Sequence, residues 1–285
     1  MDPIFDRAVI VGAGLLGASL GLVMQATGAA RHVVGVGRRQ SSLDKALAVG
    51  AIHEGSLDLA AALAEADLVV VATPANTAIQ TLDAIHADCP SRAVVIDVAS
   101  TKAAICAHAA AKWPTPRRFI GCHPMAGSEK TGPEYATASL YRDTVCLIEN
   151  SDDLDPDALG QVRMLWERAG ARVVPIDAAQ HDVLLARTSH VPHILSTILA
   201  TAAGDKDATC DLIGNGFRDM TRVAAGSPEM WRDIALTNDI AIREGLEAVR
   251  GYVDTFIAAL ESGDSEALTT LFQRGKDARE KVVTE

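Results

Sequence analysis

Short, nearly unbroken apolar runs recur through the first part of the chain: Ala8–Val11, His32–Val36, Leu68–Ala72, Ala93–Val98, Phe119–Cys122, Val145–Ile148 and Arg172–Ile176. Strands that are apolar at successive positions, rather than alternating, are covered on both faces, as in parallel sheets. Between them, Leu15–Thr27, Ser42–Val49, Leu57–Ala66, Ala75–Ala87, Lys102–Ala111 and Asp157–Ala169 are rich in helix formers. This alternation predicts an N-terminal α/β domain built on a doubly wound sheet of the Rossmann type. After Asp177 the strand pattern stops, and helical stretches follow, punctuated by Gly204, Gly214, Gly216, Gly226 and Gly263. Two domains are therefore expected, 1–177 and an all-helical 178–285. Pro228–Leu260 keeps helical spacing over about thirty residues, longer than an ordinary globular helix. One long helix, apolar on more than one face and packed on a partner subunit, is the expectation there.

Composition narrows the class. The 285 residues carry 26 Lys+Arg against 37 Asp+Glu, a net charge of −11, with 48% apolar and 22% charged residues. Such a chain folds rather than remaining disordered. Its acidity and 4% aromatic content disfavour nucleic-acid binding, since phosphate backbones are repelled and few rings are available for stacking. The five cysteines, Cys89, Cys106, Cys122, Cys146 and Cys210, include no C-x-x-C pair, so a reducing cytoplasm is expected. Neither a leader nor an apolar run of spanning length is evident, so no membrane association is expected.

Four motifs carry the chemistry. AVIVGAGLLGASLGL sets Gly12, Gly14 and Gly17 between the first strand and the first helix. In a dinucleotide-binding turn these glycines allow the tight bend, the approach of a pyrophosphate and the packing of helix on strand. With Leu15, Leu16 and Thr73, they are assigned to a cofactor site at a helix N-terminus. The second strand runs into GVGRRQSS, with Arg38 and Arg39 where NAD-selective folds place a ribose-binding carboxylate. A guanidinium suits a 2′-phosphate, so NADP is favoured over NAD, although two exposed loop arginines would look the same.

The second motif pair, DVASTK and GCHPMAGSEKTG, lies where later strands end, which puts Ser100 and His123 beside the crevice. His123 is either a catalytic base or a buried, hydrogen-bonded imidazole. The third, AQHDVLLARTSHVPHIL, offers His181, His190 and His193. A metal site is disfavoured, because Pro192 disturbs the spacing of the last two and no tight ligand pattern accompanies them. In the fourth, GFRDMTRVAAGSPEMWRD, Arg218, Asp219, Arg222, Trp231 and Arg232 form either surface ion pairs or an anion-binding site.

Taken in order, the glycine fingerprint, HPMAGSEKTG, SHVPH and DMTR…MWRD resemble the prephenate/arogenate dehydrogenases, the cyclohexadienyl dehydrogenases of tyrosine biosynthesis, along essentially the whole chain. That resemblance implies an NAD(P)-dependent oxidative decarboxylation of a small anionic cyclohexadienyl substrate, with His123 as catalytic base and Ser100 bonding the same centre. It implies that Ser128 and Glu129 line the substrate pocket, that Arg222 grips a substrate carboxylate, and that His193 and Trp231 cover the pocket. Asp219 stands where an acidic residue favours arogenate, whose ammonium it would pair with, over prephenate. His190 is expected to be structural. A homodimer through the helical half is implied, and no fused mutase or regulatory domain is expected. The competing classes are a β-hydroxyacid dehydrogenase, which would need a catalytic lysine in the helical half, and a non-enzymatic NADP-sensing protein.

Overall fold

The computed structural model describes residues 2–127, 130–204 and 212–282. Six parallel strands form the main sheet in the order β3-β2-β1-β4-β5-β6. They are β1 (Phe5–Val11), β2 (Ala30–Val36), β3 (Glu54–Ser56), β4 (Leu68–Val71), β5 (Val94–Asp97) and β6 (Phe119–Ile120). The order reverses between β1 and β4, which leaves a crevice at their carboxyl ends. Both faces are buried, which explains the unbroken apolar runs. Ile10, Val33, Val70 and Ile96 point into one core, and Val9, Val34, Val69 and Val95 point into another.

Helices α1 (Leu15–Thr27), α2 (Gln40–Ala48), α3 (Leu59–Leu63), α4 (Ala75–Asp88) and α5 (Ala103–Lys112) connect these strands. A separate sheet holds β7 (Cys122–Pro124), β8 (Val145–Glu149) and β9 (Arg172–Ile176), with β7 antiparallel and β9 parallel to β8. α6 (Pro156–Arg168) joins β8 to β9. The Phe119–Cys122 run, expected as one strand, is thus divided at Gly121. Carboxylates take the backbone donors there: Glu149 Oε2 accepts from Gly121 N (3.2 Å) and Asp97 Oδ1 from Cys122 N (3.1 Å). A side chain at Gly121 is excluded, because its Cβ would sit 2.4 Å from Cys106 Sγ. Arg117, itself buried, binds Glu149 and Asp153 and neutralises the carboxylates at this junction.

Helices follow: α7 (Ala178–Leu185), a π-helical turn over Ala186–His190, α8 (Val191–Ala202), α9 (Asn215–Thr221), α10 (Pro228–Thr237), α11 (Asp239–Ser262) and α12 (Ser265–Val282). The long helix expected over Pro228–Leu260 is two helices, because Asn238 leaves the helical conformation (φ −130°, ψ 37°). Its amide is drawn instead to the carbonyl of Asp182 and to the ring of His190. Helical periodicity continues across this break, so the hydrophobic pattern does not reveal it.

The chain divides into two compact units, residues 1–239 and 240–285. The second consists of most of α11 together with α12. Within it, Phe256 packs edge-on against Phe272, and the exposed surface includes Tyr252, Ile257, Leu260 and Phe272. Among the described residues no helix is long and apolar enough to cross a membrane.

Candidate active site

The glycine turn lies at the reversal point of the main sheet. Gly12 has φ +97°, a conformation that favours glycine, and its N–H donates to Val36 O at the end of β2 (2.9 Å). A Cβ on Gly12 would lie 2.7 Å from Ala72 O, so the ends of β1, β2 and β4 meet around this residue and Thr73 is brought beside it. Gly17 is as tightly enclosed, its Cβ position lying 2.4 Å from Gly12 O and 2.8 Å from Ile10 Cγ2. Gly14 is different: nothing lies within 4 Å of its Cβ position, and α1 begins there without a side-chain cap. The start of α1, at Leu15 and Leu16, thus has no side chain capping it from its N-cap position. An uncapped helix terminus beside an open glycine fits the pyrophosphate of a dinucleotide. Arg38 and Arg39 lie just beyond β2, both exposed, and Arg39 immediately precedes α2.

At the ends of β5 and β7 the chain assembles a buried polar cluster. Asp97 terminates β5, and its carboxylate accepts from Ala99 N, Cys122 N and the ammonium of Lys102. Asp97 and Lys102 are both almost fully buried. Burial pulls the Lys102 ammonium toward neutrality, but its neighbours, the Asp97 carboxylate foremost, together outweigh this and raise its pKa. Ser100 lies on the loop held between them and is half-buried.

His123, on β7, is buried, and its Nδ1 lies 2.8 Å from Nε2 of His181. His181 in turn bonds Asp182 through Nδ1 (2.7 Å). The Asp182 carboxylate also accepts from the backbone N–H of Lys102 (2.8 Å) and of Ala103 (2.9 Å), capping α5 from another helix. Burial holds the His123 imidazole well below the usual histidine pKa, and the His181 ring and the Lys102 ammonium push it further down. His190 is lowered to about 4 by burial, with Asp182 opposing. Nothing in the spacing marks His181 and Asp182 as partners of His123. Fifty-eight residues separate the two histidines, and only the fold brings them together.

The helical segment supplies a second group. His193 and Trp231 stack face to face, with ring centroids 3.5 Å apart at 13°, and burial lowers the His193 pKa. Gly226 allows this approach, since a Cβ there would lie 2.6 Å from Trp231 Nε1. A recess of about 200 Å³ opens beside the stack, lined by Thr188, Ser189, Pro192, His193, Val223 and Trp231. Arg222 is adjacent to Val223 in the chain and is exposed; Asp219 is exposed on α9. Neither bonds to the His123 cluster. Ser128 and Glu129 lie outside the described residues, as does Cys210. Among the described residues no group of three or more His, Cys, Asp or Glu side chains could hold a metal ion.

A parallel sheet with an open glycine turn at its reversal point, and a neutral histidine on a neighbouring strand, defines a dinucleotide-dependent oxidoreductase. The family model for the nucleotide-binding domain of prephenate dehydrogenase matches residues 20–175, and that for its dimerization domain matches 177–274. The chain belongs to the prephenate dehydrogenase family. The prephenate dehydrogenase of Bacillus subtilis is 28% identical over 285 residues, covering 98% of this chain and 77% of that one. Among solved structures, Synechocystis arogenate dehydrogenase is 31% identical, with a TM-score of 0.83 over 97% of this chain and 100% of that one. Prephenate dehydrogenase from Aquifex aeolicus, solved with hydroxyphenyl propionate and NAD+, has a TM-score of 0.89 at 26% identity, covering 97% and 98%.

The two helix-start glycines separate packing from binding. Gly17→Ala, with no room for its methyl, is expected to lower stability by about 1–3 kcal/mol in urea unfolding. Gly14→Ala is expected to stay within about 0.5 kcal/mol of the parent while weakening dinucleotide binding measured by calorimetry.

Proposed function

We propose that this chain oxidatively decarboxylates arogenate or prephenate with a nicotinamide dinucleotide, His123 serving as the base for the ring hydroxyl. The observation that carries this is His123 itself: a buried imidazole held neutral, one residue beyond the peptide N–H that Asp97 accepts, in a fold with an open glycine turn. The bound nicotinamide supplies the hydride acceptor. Gly14 and the first turn of α1 hold its pyrophosphate, with Gly12 making the turn, Gly17 packing α1 on β1 and Thr73 beside them. His123 takes the proton of the substrate hydroxyl, and Ser100 bonds the same oxygen. Departure of the ring carboxylate as carbon dioxide leaves an aromatic ring, which makes the reaction irreversible.

Arg222 grips a substrate carboxylate, Ser128 and Glu129 line the pocket, and the His193–Trp231 stack closes one side of it. Asp219 selects the amino form of the substrate, in keeping with the arogenate dehydrogenase among the solved relatives. Arg38 and Arg39 select NADP, since each presents a planar guanidinium and no acidic side chain ends β2. The functional division proposed is a cofactor-binding 1–177 and a substrate-holding, dimerising 178–285. The occupant proposed for the exposed apolar side chains of α11 and α12 is a second copy of the chain, as the dimerization-domain match supports.

His123→Asn is expected to lose at least about 100-fold in kcat while keeping cofactor affinity; near-normal turnover would overturn the assignment. A base whose pKa is lowered is already neutral at pH 7 and is lost only as pH falls through that lowered value. The acid limb of kcat/KM is therefore expected below pH 6.5. Replacing Arg38 or Arg39 by Ala is expected to lower kcat/KM for NADP about tenfold each, leaving NAD nearly unchanged; a parent enzyme that prefers NAD refutes the selection. Asp219→Asn is expected to lower the arogenate/prephenate ratio of kcat/KM, and an unchanged ratio removes Asp219 from substrate choice. Light scattering is expected to give twice the chain mass; a monomer at micromolar concentration contradicts the dimer.

A further inference from the structure

We propose that His181, held by Asp182, is the positioning residue that decides which nitrogen of His123 receives the substrate proton. The proposal rests on His123 being the base and adds what makes it one at the correct atom. A neutral imidazole has one N–H and one lone pair, and the chain of bonds through the buried cluster fixes where each lies.

The bond chain starts at Asp182. An ionised carboxylate only accepts, and this one already accepts the backbone N–H of Lys102 on Oδ1 and that of Ala103 on Oδ2. The third contact, His181 Nδ1 at 2.7 Å from Oδ1, must therefore donate. With its proton on Nδ1, neutral His181 presents a lone pair at Nε2. That lone pair faces His123 Nδ1 at 2.8 Å, so His123 donates from Nδ1. The lone pair of His123 is then on Nε2. Reversing the direction would put protons on both nitrogens of His181, a positive charge on a fully buried ring.

The same chain acts during turnover. When the hydroxyl proton arrives at Nε2, His123 becomes an imidazolium, and its Nδ1–H bond to His181 becomes charge-assisted. His181 passes the polarisation to Asp182 without itself gaining a proton. The proton returns from Nε2 to the ring oxygen as the product becomes aromatic, so the relay ends as it began. The backbone of Asp182 is itself anchored, since Asn238 Nδ2 donates to its carbonyl at 2.8 Å and also lies 3.1 Å from His190 Nδ1. The break between α10 and α11 thereby helps to hold the acceptor end of the chain.

The test begins on the unaltered protein, labelled with ¹⁵N-histidine, at pH 7 by long-range ¹H–¹⁵N correlation. Both His123 and His181 are expected to carry the proton on Nδ1 only. His123 protonated on Nε2, or His181 protonated on both nitrogens, overturns the proposal. Kinetics of His181→Leu and His181→Gln then read the consequence. Leu removes the acceptor and is expected to lower kcat about 100-fold, with KM and cofactor affinity within about threefold. Gln keeps an acceptor oxygen and is expected to recover part of that loss. A Leu variant with kcat within twofold of the parent overturns the proposal even if His123→Asn is inactive, whereas an active His123→Asn overturns the base assignment itself. If the Leu variant fails to bind cofactor, the protonation pattern of the unaltered protein decides.

Discussion

The Asp97 carboxylate is the interaction on which the architecture of the site depends. It terminates one strand of the main sheet, takes the N–H that begins the first strand of the second sheet, and holds the Lys102 ammonium before α5. A carboxylate removed from water is costly unless its oxygens are satisfied and a counter-charge is supplied. Here both conditions are met, by the backbone of Ala99 and Cys122 and by Lys102. Because the acceptor ends a strand of the main sheet and one donor begins a strand of the second, satisfying the charge also ties the two sheets together. The Ser100 loop is then the short span between carboxylate and ammonium, and His123 follows directly on the peptide that Asp97 accepts from.

Asp182 repeats the arrangement from the other side. It supplies the cap that α5 lacks in its own sequence and faces a histidine with what remains of its acceptor capacity. Two buried carboxylates, one on each flank of Lys102, thus bracket the segment that carries Ser100. The His123 imidazole stays neutral in this setting because burial opposes its charge and the nearest fixed cation adds to that effect.

How much of this is legible in the sequence depends on the range of the interaction. The glycine turn is local: Gly12, Gly14 and Gly17 announce themselves within six residues, and α1 runs Leu15–Thr27 as its periodicity predicts. His123 is legible as a motif but not as half of a pair, since its partner is held by packing rather than by spacing. The edge strand Glu54–Ser56 is three residues with a central glycine, too short to produce a hydrophobic pattern. The division at Gly121 is hidden because apolar residues continue on either side, while the carboxylates that redirect the backbone come from β5 and β8. The end of α10 is hidden for a related reason: the amide of Asn238 is engaged by Asp182 and His190, more than forty positions earlier in the chain.

Helix α1, which follows the glycine turn, is also braced from a distance. The hydroxyl of Tyr141, fully buried against Trp166, donates to the carbonyl of Leu16 in the first turn of α1, across 125 residues of chain. On a ribosome adding roughly 5–20 residues per second, that brace arrives on the order of ten seconds after the helix it supports. The glycine turn and its helix therefore emerge first as a locally specified but unsupported element. They gain this brace only once Tyr141 has been synthesised, so support comes late to an element whose sequence comes first.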